Sequence, residues 1–152
     1  MKKEIFCLVS SPGGHLSKLI RLKPWWNQHQ RFWVTHLGSG QLYALKGEKI
    51  IPGCFPENRN LWNFLKNLLL AFKVIFQNKP TYIVSLGAGI AVPFFLVGKL
   101  FGCKLIFIET LVFAGKPTLS GRMLYRIADY FIVQHKDLLD VYPQATLKEW
   151  RI

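Results

Sequence analysis

Acidic residues are scarce in this chain. Its 152 residues include 8 Asp and Glu against 20 Lys and Arg, so the formal net charge is +12 at pH 7. Such an excess predicts an anionic partner, which can be nucleic acid, anionic lipid or phosphate groups. Because 51% of the residues are hydrophobic and neither a dense basic stripe nor a nucleic-acid-binding module is recognisable, the composition favours a membrane surface over nucleic acid.

Cysteine is also rare. Cys7, Cys54 and Cys103 are far apart, and Cys7 and Cys103 lie in or beside apolar runs. This spacing is typical of small buried hydrophobes in a reducing compartment, and it predicts neither a disulfide framework nor a metal site. The N-terminus shows no long apolar segment with a small-residue cleavage site, so we expect no signal peptide.

Charge is missing altogether from Pro80 to Gly98. This uncharged stretch is long enough for a transmembrane helix. However, Pro80, Gly87, Gly89 and Pro93 interrupt it, and its first third is rich in β-branched residues. We therefore expect a strand, a glycine loop and a buried helix here, and no transmembrane helix.

The sequence does contain a regular alternation of apolar strand-like runs and helical segments. Their order predicts an α/β protein with a single Rossmann-like, mostly parallel sheet and helices on both faces. We expect residues 1–152 to form one domain, since neither a linker nor an internal repeat divides the pattern.

The first apolar run, residues 5–9, is followed by a glycine-rich turn with the sequence SSPGGHLSKL. A strand, a glycine turn and a helix start can cradle a phosphate, because glycine allows close backbone approach and the helix start presents free N–H groups. His15 lies at the helix entrance, where an imidazole titrates near neutral pH. A tight turn with an exposed histidine is an equally good interpretation.

Two further groups follow predicted strands. The loop Leu86-Gly87-Ala88-Gly89 comes after the strand at 81–85, and Glu109 ends the apolar strand at 105–108. Because the carboxyl ends of parallel strands share one edge of a sheet, we expect both groups to lie near His15.

A helix is predicted from Leu61 to about Gln77, with Asn60 as its N-cap. Its surface is too apolar for a single core-facing stripe. The predicted outward residues, which suit a membrane interface or a partner, are Trp62, Lys66, Leu69, Lys73 and Phe76. Packing of the helix on both sides is the alternative.

With these segments identified, the sequence resembles the bacterial exopolysaccharide and capsule biosynthesis proteins of the PssD, EpsE and CpsF type. That family is related to the membrane-recruiting subunit of the eukaryotic dolichol-linked N-acetylglucosaminyltransferase, and its loops are similar to those of the N-terminal domain of MurG. The matching segments cover nearly the whole chain: SPGGHL (11–16), FWVT (32–35), PENRN (56–60), KNLLLA (66–71), SLGAGIAVPF (85–94), KLFG (99–102), FIE (107–109), KPTLSG (116–121), ADYFIVQ (128–134) and YP (142–143).

The resemblance implies the N-terminal half of a GT-B glycosyltransferase. This half would bind a polyprenyl-diphosphate-linked sugar acceptor, as a peripheral protein at the cytoplasmic face of the plasma membrane. A separate small subunit, equivalent to the C-terminal half, would bind the UDP-sugar donor, and the two would act in exopolysaccharide or capsule biosynthesis. We expect no cofactor and no metal in this chain, and no nucleic acid as a partner.

The implied chemistry is an inverting sugar transfer in which a general base takes the proton of the acceptor hydroxyl. His15 and Glu109 are the two candidates. His15 has the better resting pKa, whereas Glu109 requires burial to raise its pKa, or instead orients His15 or a sugar hydroxyl. The residues expected to bind the acceptor and its diphosphate are Ser11, Gly13, Gly14, Gly87, Ala88, Gly89, Arg59 and Lys116.

Two other functions stay open. One is a non-catalytic scaffold that recruits and enhances a separate catalytic subunit. The other is a nucleotide- or dinucleotide-binding enzyme that acts alone. Against it, the full GxGxxG spacing is missing, and His36 stands where an acidic residue is expected after the second strand.

Overall fold

The computed structural model describes residues 4–36, 38, 40–57, 59–110 and 117–148. The strands are β1 (Ile5–Val9), β2 (Gln30–Thr35), β3 (Ile50–Pro52), β4 (Tyr82–Ser85), β5 (Lys104–Glu109), β6 (Tyr130–Val133) and β7 (Thr146–Leu147). The α-helices are α1 (Gly14–Arg21), α2 (Lys23–Trp26), α3 (Leu61–Asn78), α4 (Ala91–Leu100) and α5 (Leu119–Leu124). Two 3₁₀ helices span Gly40–Leu45 and Lys136–Leu139.

The strands form one sheet in the order β3-β2-β1-β4-β5-β6-β7, and every neighbouring pair is parallel. The predicted Rossmann-like sheet is therefore confirmed, and the expected mostly parallel pairing is parallel at each step. After β3 the chain returns through α3 to place β4 beside β1. The strand order reverses between β1 and β4, which is the point where open α/β sheets form a ligand-binding crevice.

Both faces of the sheet carry a hydrophobic core. Along β1, Cys7 and Val9 pack into the core formed with α3, α4 and α5, whereas Phe6 and Leu8 pack into the core formed with α1 and α2. This arrangement confirms helices on both faces. It also explains the uninterrupted apolar strands, since successive side chains of a strand point to opposite faces.

Helix α3 is the longest element, and its start matches the sequence prediction. The Asn60 side chain accepts a hydrogen bond from the backbone N–H of Asn63 at 3.0 Å, which is an N-cap. The helix ends at Asn78, and its C-cap Lys79 has a left-handed conformation with φ 46°, immediately before Pro80. No helix in the described ranges has both the length and the apolar character needed to cross a bilayer.

Three local features were not described by the sequence analysis. Helices α1 and α2 are separate, with Leu22 between them. Pro24 lies in the first turn of α2, where its missing N–H costs nothing. The short strand β7 and the 3₁₀ helix at 40–45 were not predicted, because elements of two to six residues leave no periodic pattern.

Candidate functional site

The candidate site lies at the carboxyl edge of the sheet. Three connections come together there, beside the point between β1 and β4 where the strand order reverses. The β1–α1 connection carries Ser11 and Gly13, the β3–α3 connection carries Glu57, and the β4–α4 connection carries Gly87. The start of α5 lies against the same place, since a Cβ at Gly87 would be 3.7 Å from the Ser120 hydroxyl. The predicted convergence of the two glycine loops near His15 is thus what the fold produces.

His15 is half-buried between these connections. Its Nδ1 lies 3.0 Å from the carbonyl oxygen of Leu86. A carbonyl can only accept a hydrogen bond, so Nδ1 carries the proton and Nε2 of the neutral ring has a free lone pair. Burial lowers the pKa of His15, and Lys18 acts in the same direction. The Leu86 hydrogen bond and the Glu57 carboxylate act in the opposite direction.

Glu57 is a member of the site that the sequence analysis did not single out. Its Oε1 accepts a hydrogen bond from the Ser11 hydroxyl. It also packs over Gly89, where a Cβ would lie 2.7 Å from the Glu57 Cγ. The carboxylate therefore joins the β1–α1 and β4–α4 connections. The available signal was its position in the PENRN segment of the resemblance, in a chain with only 8 acidic residues.

The β4–α4 connection has a backbone that few residue types adopt. Gly87 has φ 119° and Ala88 has φ 86°. A Cβ at Gly87 would lie 3.0 Å from His15 Cε1, so the position requires glycine for its conformation and for its space. Ser85 stabilises the turn, because its hydroxyl accepts from the Gly87 N–H and donates to the Gly87 carbonyl, both at 3.1 Å.

The first glycine loop is held by a side chain from the 3₁₀ helix at 40–45. Gln41 accepts a hydrogen bond from the Gly13 N–H at 2.7 Å and donates to the Gly13 carbonyl at 2.8 Å. A Cβ at Gly13 or Gly14 would meet no atom within 4 Å, so there is open space before the loop. Of the amides predicted to bind a diphosphate, those of Gly13 and Gly87 thus donate hydrogen bonds within the protein.

Glu109 points into the protein, away from solvent. It is 1% exposed, and its Oε2 accepts hydrogen bonds from the Thr118 hydroxyl at 3.0 Å and the Tyr142 hydroxyl at 3.1 Å. Thr118 is the N-cap of α5, and its hydroxyl accepts from the Gly121 N–H at 2.9 Å. Burial raises the pKa of Glu109, while the Thr118 and Tyr142 hydrogen bonds oppose that rise.

The side-chain parity of β5 explains this orientation. Leu105 and Phe107 pack in the core shared with α4 and α5, and Glu109 lies two residues further along the same face. A hydrogen-bonded chain through Thr118 leads from Glu109 to the Ser120 hydroxyl at 3.3 Å from Thr118. Ser120 in turn lies near the Gly87 position, so Glu109 is connected to the His15 region through the start of α5.

The structure describes one of the two basic residues that were predicted to bind the acceptor. Arg59 is exposed on the β3–α3 connection, and its φ is 51°. Lys116 lies outside the described residues. Among the residues that the structure describes, no three His, Cys, Asp or Glu side chains are grouped to hold a metal ion.

The predicted outward face of α3 is solvent-exposed. Trp62, Leu69 and Phe76 are 67%, 70% and 67% exposed, and the exposed Lys66 lies 5.5 Å from the Trp62 ring. At about 100° per residue, the exposed apolar positions form one continuous stripe, with Lys66 and Lys73 along one margin. The stripe consists of Leu61, Trp62, Leu65, Leu69, Phe72 and Phe76.

The family relationship comes from comparison with known proteins. The model of a family described as "Oligosaccharide biosynthesis protein Alg14 like" matches residues 58–149, more than half of the chain. The chain belongs to this Alg14-like family. The predicted relationship is thereby confirmed. The matched region of this Alg14-like chain includes α3, the β4–α4 connection and Glu109, and it begins after Ser11, His15 and Glu57.

Among curated relatives, the human protein named "UDP-N-acetylglucosamine transferase subunit ALG14" is 29% identical over 87 residues, which cover 53% of this chain and 40% of the human protein. Among solved structures, MurG of Acinetobacter baumannii matches with a TM-score of 0.74 at 18% identity, over 89% of this chain and 42% of MurG. The Alg14-like chain therefore spans less than half the length of either protein.

The fold is shared beyond glycosyltransferases. The UDP-GlcNAc 2-epimerase of Methanocaldococcus jannaschii, solved with UDP-GlcNAc and UDP, matches with a TM-score of 0.73 at 12% identity, over 95% of this chain and 44% of the epimerase. Identities this low establish the fold alone. The likeness to MurG confirms that the chain has the predicted architecture of one half of a GT-B protein. The reaction that the chain takes part in has to be argued from the family and the site.

Proposed function

We propose that this chain is the acceptor-binding, membrane-associated subunit of a two-component glycosyltransferase. The observation that carries the proposal is the Alg14-like match over residues 58–149. The human relative is named as a subunit of a UDP-N-acetylglucosamine transferase, which supports both a UDP-sugar donor and a division of the enzyme between subunits. In this proposal residues 1–152 act as one acceptor-binding domain, and a small partner subunit holds the donor.

The proposed acceptor is a polyprenyl-diphosphate-linked sugar of exopolysaccharide or capsule biosynthesis. The open space before Gly13 and Gly14 admits a ligand at the start of α1, whose first-turn amides have no partners within the helix. Gly14 therefore remains a candidate donor for the diphosphate, together with the backbone of Ala88 and Gly89. Arg59 and Lys116 add positive charge.

His15 is the proposed general base. Nε2 of the neutral ring takes the proton of the acceptor hydroxyl while the new oxygen–carbon bond forms at the anomeric carbon, and UDP departs with the electrons of the bond that breaks. Burial keeps the pKa of His15 low, so the ring is neutral and able to accept a proton near neutral pH. The protein needs no cofactor of its own for this step.

Glu109 has the supporting part in this scheme. Its Oε2 accepts hydrogen bonds from Thr118 and Tyr142, so its carboxylate orients the start of α5 beside the β4–α4 connection. These contacts support a role in holding the start of α5 over the role of base, and direct orientation of His15 or a sugar hydroxyl by Glu109 stays a prediction.

The exposed stripe of α3 is the proposed membrane surface. Aromatic and aliphatic side chains insert at the lipid interface, and Lys66 and Lys73 contact anionic headgroups. The net charge of +12 favours the same orientation toward an anionic bilayer, which we propose to be the cytoplasmic face of the plasma membrane.

The test is sugar transfer from labelled UDP-sugars to a lipid-diphosphate-sugar acceptor. Three preparations are compared: this chain alone, the candidate small partner alone, and the two together. The proposal expects transfer in the mixture only, and loss of that transfer when the chain carries His15→Gln. Absence of transfer in every preparation, with no complex formed, would exclude the proposed function.

One observation favours a second candidate, the non-catalytic scaffold. Glu109 and the amides of Gly13 and Gly87 are engaged inside the protein, as expected of structural groups. The scaffold predicts that the partner alone has activity, that this chain increases it, and that His15→Gln leaves the increase intact. Leu69→Glu with Phe76→Glu in α3 then removes recruitment to vesicles.

A further inference from the structure

Glu57 lies between the two connections that enclose His15. Its carboxylate accepts the Ser11 hydrogen bond and its side chain covers Gly89. It therefore bridges the connection before His15 and the connection that holds the His15 ring from the other side. The acidic side chain is half-buried in this position, and a half-buried carboxylate has a stronger field than one in open solvent.

The surroundings of His15 contain two opposed charges. Lys18, one turn further along α1, disfavours the protonated ring, and Glu57 favours it. Two neutral groups also contact the ring: the Leu86 carbonyl accepts from Nδ1, and Gly87 packs against Cε1. Glu57 thus acts on this ring through its charge, from an element other than the helix that carries His15.

We propose that Glu57 is a positioning residue for His15, which joins the β1–α1 and β4–α4 connections around the ring and stabilises the imidazolium formed when Nε2 takes a proton. The Ser11 hydroxyl holds the carboxylate in place for this purpose. The assignment rests on the proposed function for its catalytic meaning, but the electrostatic pairing is a property of the free protein. It can therefore be measured without any sugar transfer.

The first experiment is a histidine titration of the full chain by NMR, with the His15 signal assigned from its absence in His15→Gln. Glu57→Gln keeps the shape of the side chain and removes its charge, so the His15 midpoint should move to lower pH than in the unchanged chain. Glu4→Gln is the matched control. It makes the same change in net charge at the opposite end of β1, where Glu4 accepts from the Tyr82 hydroxyl.

A second variant separates the effect of the Glu57 charge from the effect of where the Glu57 carboxylate is held. Ser11→Ala keeps the Glu57 charge and removes its hydrogen bond, so the carboxylate relaxes toward solvent and the His15 midpoint moves down by less than in Glu57→Gln. An identical His15 midpoint in Glu57→Gln and Glu4→Gln overturns the proposal. If Glu57→Gln does not fold, the proposal is overturned when the His15 midpoint in Ser11→Ala equals that of the unchanged chain.

The last experiment uses the reconstituted two-subunit enzyme. In Glu57→Gln the acid limb of the kcat/KM profile moves to lower pH and the plateau falls, because the ring is a weaker base and its imidazolium loses its stabilising charge. A variant that merely loosened the fold would lower the whole profile without moving the limb. If the enzyme mixture is inactive while the NMR midpoints shift as expected, the proposed function fails and the pairing stands.

Discussion

Gly87 has a backbone conformation that favours glycine, and it lies against the His15 ring. Its φ is 119° and an added Cβ would lie 3.0 Å from His15 Cε1. We expect Gly87→Ala to lower the free energy of unfolding by about 1–2 kcal/mol and to displace the His15 ring. Denaturant unfolding measures the first effect, and the His15 NMR titration measures the second.

Gly102 provides a matched control for this change. It also has a positive φ, 73°, but an added Cβ there meets nothing within 4 Å. Gly102→Ala should therefore have the backbone cost alone and leave the His15 midpoint unchanged. A His15 titration that is the same in both variants would show that Gly87 does not constrain the ring.

The buried carboxyl group of Glu109 makes the free energy of unfolding decrease as pH rises. Burial raises the pKa of Glu109 in the folded protein above the value of about 4.3 in an unfolded chain. The folded state therefore keeps this proton to higher pH than the unfolded state does. The contribution of Glu109 to stability is greatest below the unfolded pKa and is lost as pH rises through the folded pKa.

The comparison with Glu109→Gln isolates this effect, because Gln resembles the protonated acid and does not titrate. The free energy of unfolding of the unchanged chain should fall relative to that of Glu109→Gln as pH rises above about 4. Urea unfolding at several pH values measures the difference. Glu4→Gln, at an exposed site, makes the same change in charge and is the control. A Glu109 difference independent of pH would contradict the burial argument.

The candidate site was only partly predictable at this scale. The glycine loops and His15 could be placed at one sheet edge, because their position after apolar strands is a local property of the sequence. The pairing of Glu57 with Ser11 could not, because it depends on how the β3–α3 connection returns across the sheet. Glu109 was expected at this edge, and the alternation of β5 turns its carboxylate inward.

Among the elements, α3 carries both a core face and an exposed stripe. Asn67 is buried on the core face, where it accepts from the Cys54 N–H at 2.8 Å and donates to the Cys54 carbonyl at 2.9 Å. These bonds satisfy the backbone groups of Cys54, which lies beyond the end of β3 at Pro52. Asn67 therefore anchors the connection that leads to Glu57, in a helix whose sequence otherwise looks apolar at this point.

We expect Asn67→Ala to lower the free energy of unfolding by about 2 kcal/mol, because it leaves two backbone groups of Cys54 without partners. Asn63→Ala is the matched change on the same helix. Asn63 donates to the Pro56 carbonyl at an exposed position, so its loss should cost less than about 1 kcal/mol. Equal costs in urea unfolding would show that the Cys54 bonds do not hold this connection.

For the whole molecule, the excess of 20 Lys and Arg over 8 Asp and Glu acts together with the α3 stripe. Each basic residue near an anionic bilayer contributes about 1 kcal/mol. Lys66→Gln with Lys73→Gln should therefore weaken binding to anionic vesicles roughly 30-fold. Vesicle flotation measures this, and the difference should shrink at high salt because the Debye length shortens.

Lys23→Gln with Lys46→Gln removes the same net charge elsewhere. Lys23 is exposed on α2 and Lys46 is exposed just after the 3₁₀ helix at 40–45. Both elements pack on the opposite face of the sheet from α3. This pair should weaken vesicle binding much less. Equal weakening by the two pairs would mean that the net charge, and not the α3 surface, directs the protein to the bilayer.

The sequence by itself determined the order and type of the main elements. Apolar runs, glycine turns, the Asn60 N-cap and Pro80 act over a few residues, so strand and helix boundaries along most of the chain follow from local chemistry. The uncharged stretch from 80 to 98 could likewise be assigned to a strand, a loop and a helix, because its prolines and glycines interrupt any single long helix.

Only the tertiary structure decided which side chains meet. The return of α3 places β4 beside β1, and this brings Glu57 to Ser11 and Gly87 to His15. Each of these contacts joins residues far apart in the chain, and each depends on sheet order, strand register and the face to which a side chain points. Those quantities are set by the packing of the whole sheet against its helices, which no local stretch of sequence contains.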